Sequence, residues 1–129
     1  MKRLFTILLL IMLLITISGC ARIRIPKGEQ AVLTYREPVV GSPDAIVATI
    51  TAEESAKVRE ILMGAKHNPG IGGCHYTEEI SLTFGEQMFL VACDGCNTIC
   101  DRQNEKYYVV DMEDWEYIVS LFERYGGRL

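Results

Sequence analysis

Hydrophobic and polar positions change period along this chain, and each period predicts an element. From Leu4 to Ile17 the run is apolar except at Thr6 and Thr16, fourteen residues in all. A membrane-spanning helix needs roughly 20 apolar residues, whereas the apolar core of a secretion signal needs roughly 7–15. With Lys2 and Arg3 ahead of it, the run reads as a signal peptide over residues 1–19. Residues 20–30, "CARIRIPKGEQ", are polar and basic without long apolar periodicity. Pro26 and Gly28 fit a flexible spacer, so this stretch is expected to be a tether. One domain is expected over residues 31–129, a length that supports a modest core.

Within that domain "AVLTYREP" suits a strand stopped by Pro38, and "AIVATI" is rich in β-branched residues. Thr51-Ala52-Glu53-Glu54 has the spacing of a capping box. Val58, Ile61, Leu62 and Ala65 then fall at i, i+3, i+4 and i+7, one apolar helical stripe. Ile80, Leu82 and Phe84 alternate with polar neighbours, and Gly85-Glu86 is a two-residue turn with glycine first. If Phe84 faces Gln87, then Leu82 faces Phe89 and Ile80 faces Val91, so the apolar residues meet on one face. "KYYVV" predicts a further strand, with Tyr107 and Tyr108 on opposite faces. Asp111 stands at the start of a last helix whose stripe is Trp115, Ile118, Val119 and Phe122, with Gly126-Gly127 at its end. The order β-α-β-β-β-α predicts an α+β fold, a small antiparallel sheet with two helices packed on one face.

The residues closing the apolar run add an address. Ile17-Ser18-Gly19-Cys20 resembles the lipobox of bacterial lipoproteins: an aliphatic residue, two small residues, then cysteine. The resemblance implies cleavage before Cys20, covalent lipid on Cys20, and anchoring to a membrane in the cell envelope. Ala21 is not aspartate, which by the same resemblance directs the protein to the outer membrane of an organism that has one, and otherwise to the outer face of the cell membrane. Charge changes the list of partners. The chain has 13 basic and 17 acidic residues, and loss of Lys2 and Arg3 leaves a formal net charge of −6. That balance disfavours nucleic acid, or an anionic lipid surface, as the main partner.

Five cysteines occur. With Cys20 assigned to lipid, Cys74, Cys93, Cys96 and Cys100 remain, an even number in an exported domain, which favours disulfides. Three pairings are open to four cysteines. Extending the hairpin register sets Cys74 opposite Asn97, and a bulge at Gly95 brings Cys96 into range. The expected pairs are therefore Cys74–Cys96 and Cys93–Cys100. The alternative is an exported metal-binding or thiol-redox protein: Cys93-x2-Cys96 matches half a zinc site, with Cys100 and either Cys74 or His75 completing it. Only one of the adjacent Cys74 and His75 can readily join, since strand neighbours point apart. Redox chemistry wants a C-x-x-C at a helix start; here Asp94-Gly95 makes a turn, and Asp94 opposes a thiolate. His67 reads as a loop residue after a helix and His75 as an exposed strand residue. No base, nucleophile and anion hole converge, so no catalytic residue and no resident cofactor is expected.

The mature part is also similar to small exported proteins and lipoproteins found across bacteria, on "GGCHYTEEI", "DGCN" and "SLFERYGG". That likeness implies no activity. The expectation is a disulfide-stabilised binding or interaction module of the envelope, with a membrane anchor and an envelope protein as its partners.

Overall fold

A computed structural model describes residues 21–129 apart from 38, 40, 42, 43, 71 and 72. The signal peptide, the lipid site at Cys20 and the strand stop at Pro38 lie outside the described residues.

Alternation along the strands decides which side of the sheet is buried. Strands β1 (Ala31–Tyr35), β2 (Ile46–Thr49), β3 (Lys66–His67), β4 (Ile80–Phe84), β5 (Gln87–Val91), β6 (Thr98–Asp101) and β7 (Lys106–Val109) form one sheet, ordered β2-β1-β4-β5-β6-β7-β3. Every pairing in it is antiparallel. The registers align Leu33 with Leu82, Leu82 with Phe89, Phe89 with Asp101, and Ile99 with Tyr108. One face therefore collects Ala31, Leu33, Ile80, Leu82, Phe84, Phe89, Val91, Ile99 and Tyr108, all buried in the core. The expected hairpin register is the observed one, with Phe84 opposite Gln87 and Leu82 opposite Phe89. Gly85 at its turn has φ +54°, a left-handed value that glycine adopts without cost.

Helices α1 (Ala52–Gly64) and α2 (Met112–Arg124) cover this face. The capping box forms: Glu54 N donates to Thr51 Oγ1, and Thr51 N donates to Glu54 Oε2. Ser55, Val58, Ile61 and Leu62 face inward from α1, and Trp115, Ile118, Leu121 and Phe122 from α2. Ser55 Oγ accepts from Ala31 N at 2.9 Å, tying α1 to the start of β1. The Asp111 side chain stands at the α2 N-cap without a capping hydrogen bond; it meets Lys66 Nζ at 3.2 Å instead.

The α+β architecture is as expected, with strands β1, β3 and β6 beyond the β-α-β-β-β-α order. The expected hairpin pairing does not extend from Ile80 back to Cys74: β5 ends at Val91, the chain turns through 93–97, and β6 returns along it. His67 is likewise not a loop residue. It pairs with Tyr108 across β3 and β7, with ring centroids 5.6 Å apart.

The expected tether is also corrected. Ile23 and Ile25 are 4% and 5% exposed and belong to the core. Gln87 Nε2 donates to the Arg24 carbonyl at 3.0 Å, holding the strip beside the sheet. The domain therefore begins near residue 22 rather than 31. The cause is the Arg-Ile-Arg-Ile alternation, too short to count as a strand pattern but able to bury both isoleucines once a sheet face lies beneath. Among the described residues no helix is long and apolar enough to cross a membrane.

Candidate functional site

The opposite face of the sheet carries Thr34, Ser81, Met88, Leu90, Thr98, Cys100, Tyr107 and Val47 by the same registers. Its two halves differ. At the β2 edge Val47 is 66% exposed, whereas Leu90, Thr98 and Cys100 are buried. The difference comes from the segment before β4, which folds across β5, β6 and β7. Tyr76 is its anchor: its hydroxyl meets Thr98 Oγ1 at 2.7 Å, and its ring lies 5.5 Å from that of Tyr107, tilted by 40°.

A disulfide between Cys74 and Cys96, with Cα atoms 6.3 Å apart, fastens this segment to the β5–β6 loop. This is the pair expected from the hairpin register. Gly95 has φ +81°, which lets the loop turn sharply between Asp94 and Cys96. The Asp94 carboxylate accepts from His75 N at 2.8 Å and from Cys96 N at 3.4 Å, while Cys93 N donates to the His75 carbonyl at 3.1 Å. The disulfide thus sits inside a small net of backbone bonds.

The second expected pair does not form, because Cys93 and Cys100 are both free. Cys100 faces Leu90 in the β5–β6 register, three residues before Cys93. Three strand residues span about 10 Å, beyond the roughly 7 Å between Cα atoms that a disulfide tolerates. Missing β6 in the sequence hid that separation. Burial, and then the Asp94 charge, push the Cys93 thiol above its ordinary pKa. Burial, and then the Asp101 charge, do the same to Cys100. Both are protonated at neutral pH and are poor nucleophiles.

The four-cysteine metal set of Cys74, Cys93, Cys96 and Cys100 is not assembled. The Sγ atoms of Cys74 and Cys96 and a carboxylate oxygen of Asp94 lie within 4.8 Å of one another, but both sulfurs are joined in the disulfide. Cys100 stays on the sheet. His75 contributes its backbone to the loop net and borders a concave wall.

That wall borders a shallow, open concavity of about 690 Å³ on the braced half of the face. Leu90, Cys100 and Tyr107 line it from the sheet, Cys74, His75 and Tyr76 from the covering segment, with Arg102 and Glu105 at the β6–β7 turn. Burial raises the Tyr76 pKa, so the phenol stays neutral and its hydroxyl remains bonded to Thr98. Arg102 Nε donates to Glu78 Oε1 at 2.8 Å across the rim. The result is a concave surface of aromatic and small apolar groups with a charged margin, of a size that takes a small ligand or an inserted side chain. A second concavity of about 720 Å³ at the β2 edge is lined by Arg36, Glu37, Asp44, Glu123 and Arg128 among others. It mixes charges of both signs and includes no cysteine.

Tyr76, Asp94 and Arg102 were not singled out as site residues by the sequence. The Cys93-Asp94-Gly95 turn was a usable signal for Asp94. Tyr76 lies in a stretch without periodicity and offered none. No family model, no curated protein and no solved structure matches the chain.

Proposed function

We propose that this protein is a lipid-anchored component of the bacterial cell envelope whose single domain is a binding or interaction module and not an enzyme. The observation that carries the reading is the order Lys2-Arg3, the apolar run to Ile17, and Ile17-Ser18-Gly19-Cys20. On this reading the lipid acceptor Cys20 stands three residues before Ile23, the first core residue among the described residues. By the lipobox resemblance, Cys20 takes the lipid, and the outer membrane is the destination where there is one. One short acyl chain anchors only marginally, while several give stable attachment at about 0.8 kcal/mol per buried methylene.

Support for binding rather than catalysis comes from the braced face. Its cavity has aromatic walls and a disulfide rim, and its two free thiols are protonated at neutral pH. A preorganised concave surface loses little entropy when it is occupied. An envelope protein seating a side chain beside the paired rings of Tyr76 and Tyr107 is the partner that fits it.

The test has two arms. Intact mass of the protein from cell membranes carries a diacylglyceryl addition on Cys20, and Cys20→Ser moves it to the soluble fraction. Membrane retention of Cys20→Ser without added lipid mass would end the anchored reading. In the second arm, Tyr107→Ala reduces crosslinking of the protein to its envelope partner by about tenfold, the effect expected of an interface anchor. Crosslinking that is indifferent to Tyr107 and Tyr76 would remove the cavity from the proposal. The zinc or thiol-redox alternative is checked on the same sample: one equivalent of zinc with Cys74, Cys93, Cys96 and Cys100 all reduced would favour it.

A further inference from the structure

Residues 21–28 hold their charges in fixed places. Arg22, Arg24 and Lys27 are exposed while Ile23 and Ile25 are buried, so the isoleucines dock the strip and turn the cations outward. Lys106, also exposed, borders the same small cavity as Arg22 and Arg24. No acidic residue occurs between Cys20 and Glu29. Asp101 lines that same cavity. Glu29, Glu86 and Glu105 lie on or beside the neighbouring turns and oppose this field, and Arg102 is engaged by Glu78. Residues 21–28 themselves carry three cations and no carboxylate, against the overall negative balance of the chain, where it arrives from Cys20.

Two distances give that placement a consequence. From Cys20 to Ile23 the chain spans at most about 11 Å. Fixed charges act on a surface over roughly a Debye length, about 8 Å at physiological ionic strength. A leash this short keeps the strip within range of the headgroups, which a ten-residue spacer would not ensure. The strip also marks one end of the molecule. Gln87 at the start of β5 and Asp101 at the end of β6 lie beside it, whereas the 93–97 loop and the Cys74–Cys96 disulfide lie at the other end of those strands.

We infer that the lipid-anchored domain sits directly on the bilayer in one orientation, with Arg22, Arg24, Lys27 and Lys106 against the phosphates of anionic phospholipids and the disulfide end turned away. The inference rests on lipidation of Cys20. It deepens the anchored reading by naming the surface beneath the domain and the end left free for a partner.

Hydrogen exchange on the lipidated full-length product tests it, in vesicles of phosphatidylcholine alone and in vesicles with about a third phosphatidylglycerol. Amides of 22–28 and 102–106 are expected to slow at least about threefold in the anionic vesicles, and the effect is expected to vanish in about 0.5 M salt. Amides of 93–97 are expected to exchange alike in both. The Arg22→Gln/Arg24→Gln/Lys27→Gln variant, its fold checked by circular dichroism, is expected to lose the difference. Lys106→Gln alone is expected to reduce it. Equal protection in the two vesicles with lipid present on Cys20 overturns the orientation and leaves the anchor standing, as does protection at 93–97. An unmodified Cys20 by mass overturns both.

Discussion

Ser55 and Glu54 show how single side chains join α1 to the rest of the domain. Ser55 Oγ is the partner of Ala31 N in a buried position, so Ser55→Ala leaves an N–H without an acceptor. That is expected to cost about 1–3 kcal/mol in urea unfolding, whereas an exposed serine would cost almost nothing. Glu54 accepts from the Tyr125 hydroxyl at 2.7 Å and meets Arg124 at 3.1 Å. The Tyr125 hydrogen bond foremost, with help from Thr51 and Arg124 and against the cost of burial, lowers the Glu54 carboxyl from 4.5 to about 2. A carboxyl lowered on folding contributes stability above its unfolded value and loses it as the pH falls through the folded one. The urea midpoint is therefore expected to drop between about pH 5 and about pH 2. Tyr125→Phe flattens this drop, and an unchanged profile in that variant would show that the Tyr125 bond is not its source.

Among the elements, the strip at 21–25 separates the observed domain from the one expected. A tether would tolerate any polar replacement, but Ile23 and Ile25 are core residues. Ile23→Ala and Ile25→Ala are each expected to lower unfolding free energy by about 2–4 kcal/mol, the range for truncating a buried isoleucine. Melting temperatures matching the parent would return the strip to the status of a spacer. The hairpin β4–β5 and both helices were legible because their signals are local: an alternation, a glycine-first turn, a capping box, a stripe at helical spacing. Strand β6 was not, because "TICD" is four residues between cysteines and turn residues. Its strand character comes from pairing with β5 and β7 on both sides.

Across the whole molecule, the Cys74–Cys96 bond joins two loops that no strand pairing connects, closing a loop of 22 residues in sequence separation. Chain-entropy arguments assign such a closure about 3 kcal/mol. Cys74→Ser/Cys96→Ser is expected to lose about that much stability, and to loosen the segment carrying Tyr76. Thiol titration in denaturant is expected to find two free cysteines in the lipidated protein, Cys93 and Cys100, with Cys100 unreactive until unfolding. Four reactive thiols would refute the covalent brace, and none would mean that Cys93 and Cys100 pair after all.

Sequence alone determined the fold class, the register of the central hairpin, the start of α1 and most of the inward stripes of both helices, though it named the half-buried Val119 and missed the buried Leu121. Each follows from residues close in the chain, or from a register that a short turn propagates. Only the tertiary structure decided that Ile23 and Ile25 are core, that β6 exists, that Cys93 and Cys100 stay apart, and that Tyr76 walls a cavity. Those outcomes depend on what lies across a sheet face or beside a strand. An isoleucine next to an arginine is a spacer residue in solution and a core residue when an apolar surface is there to receive it.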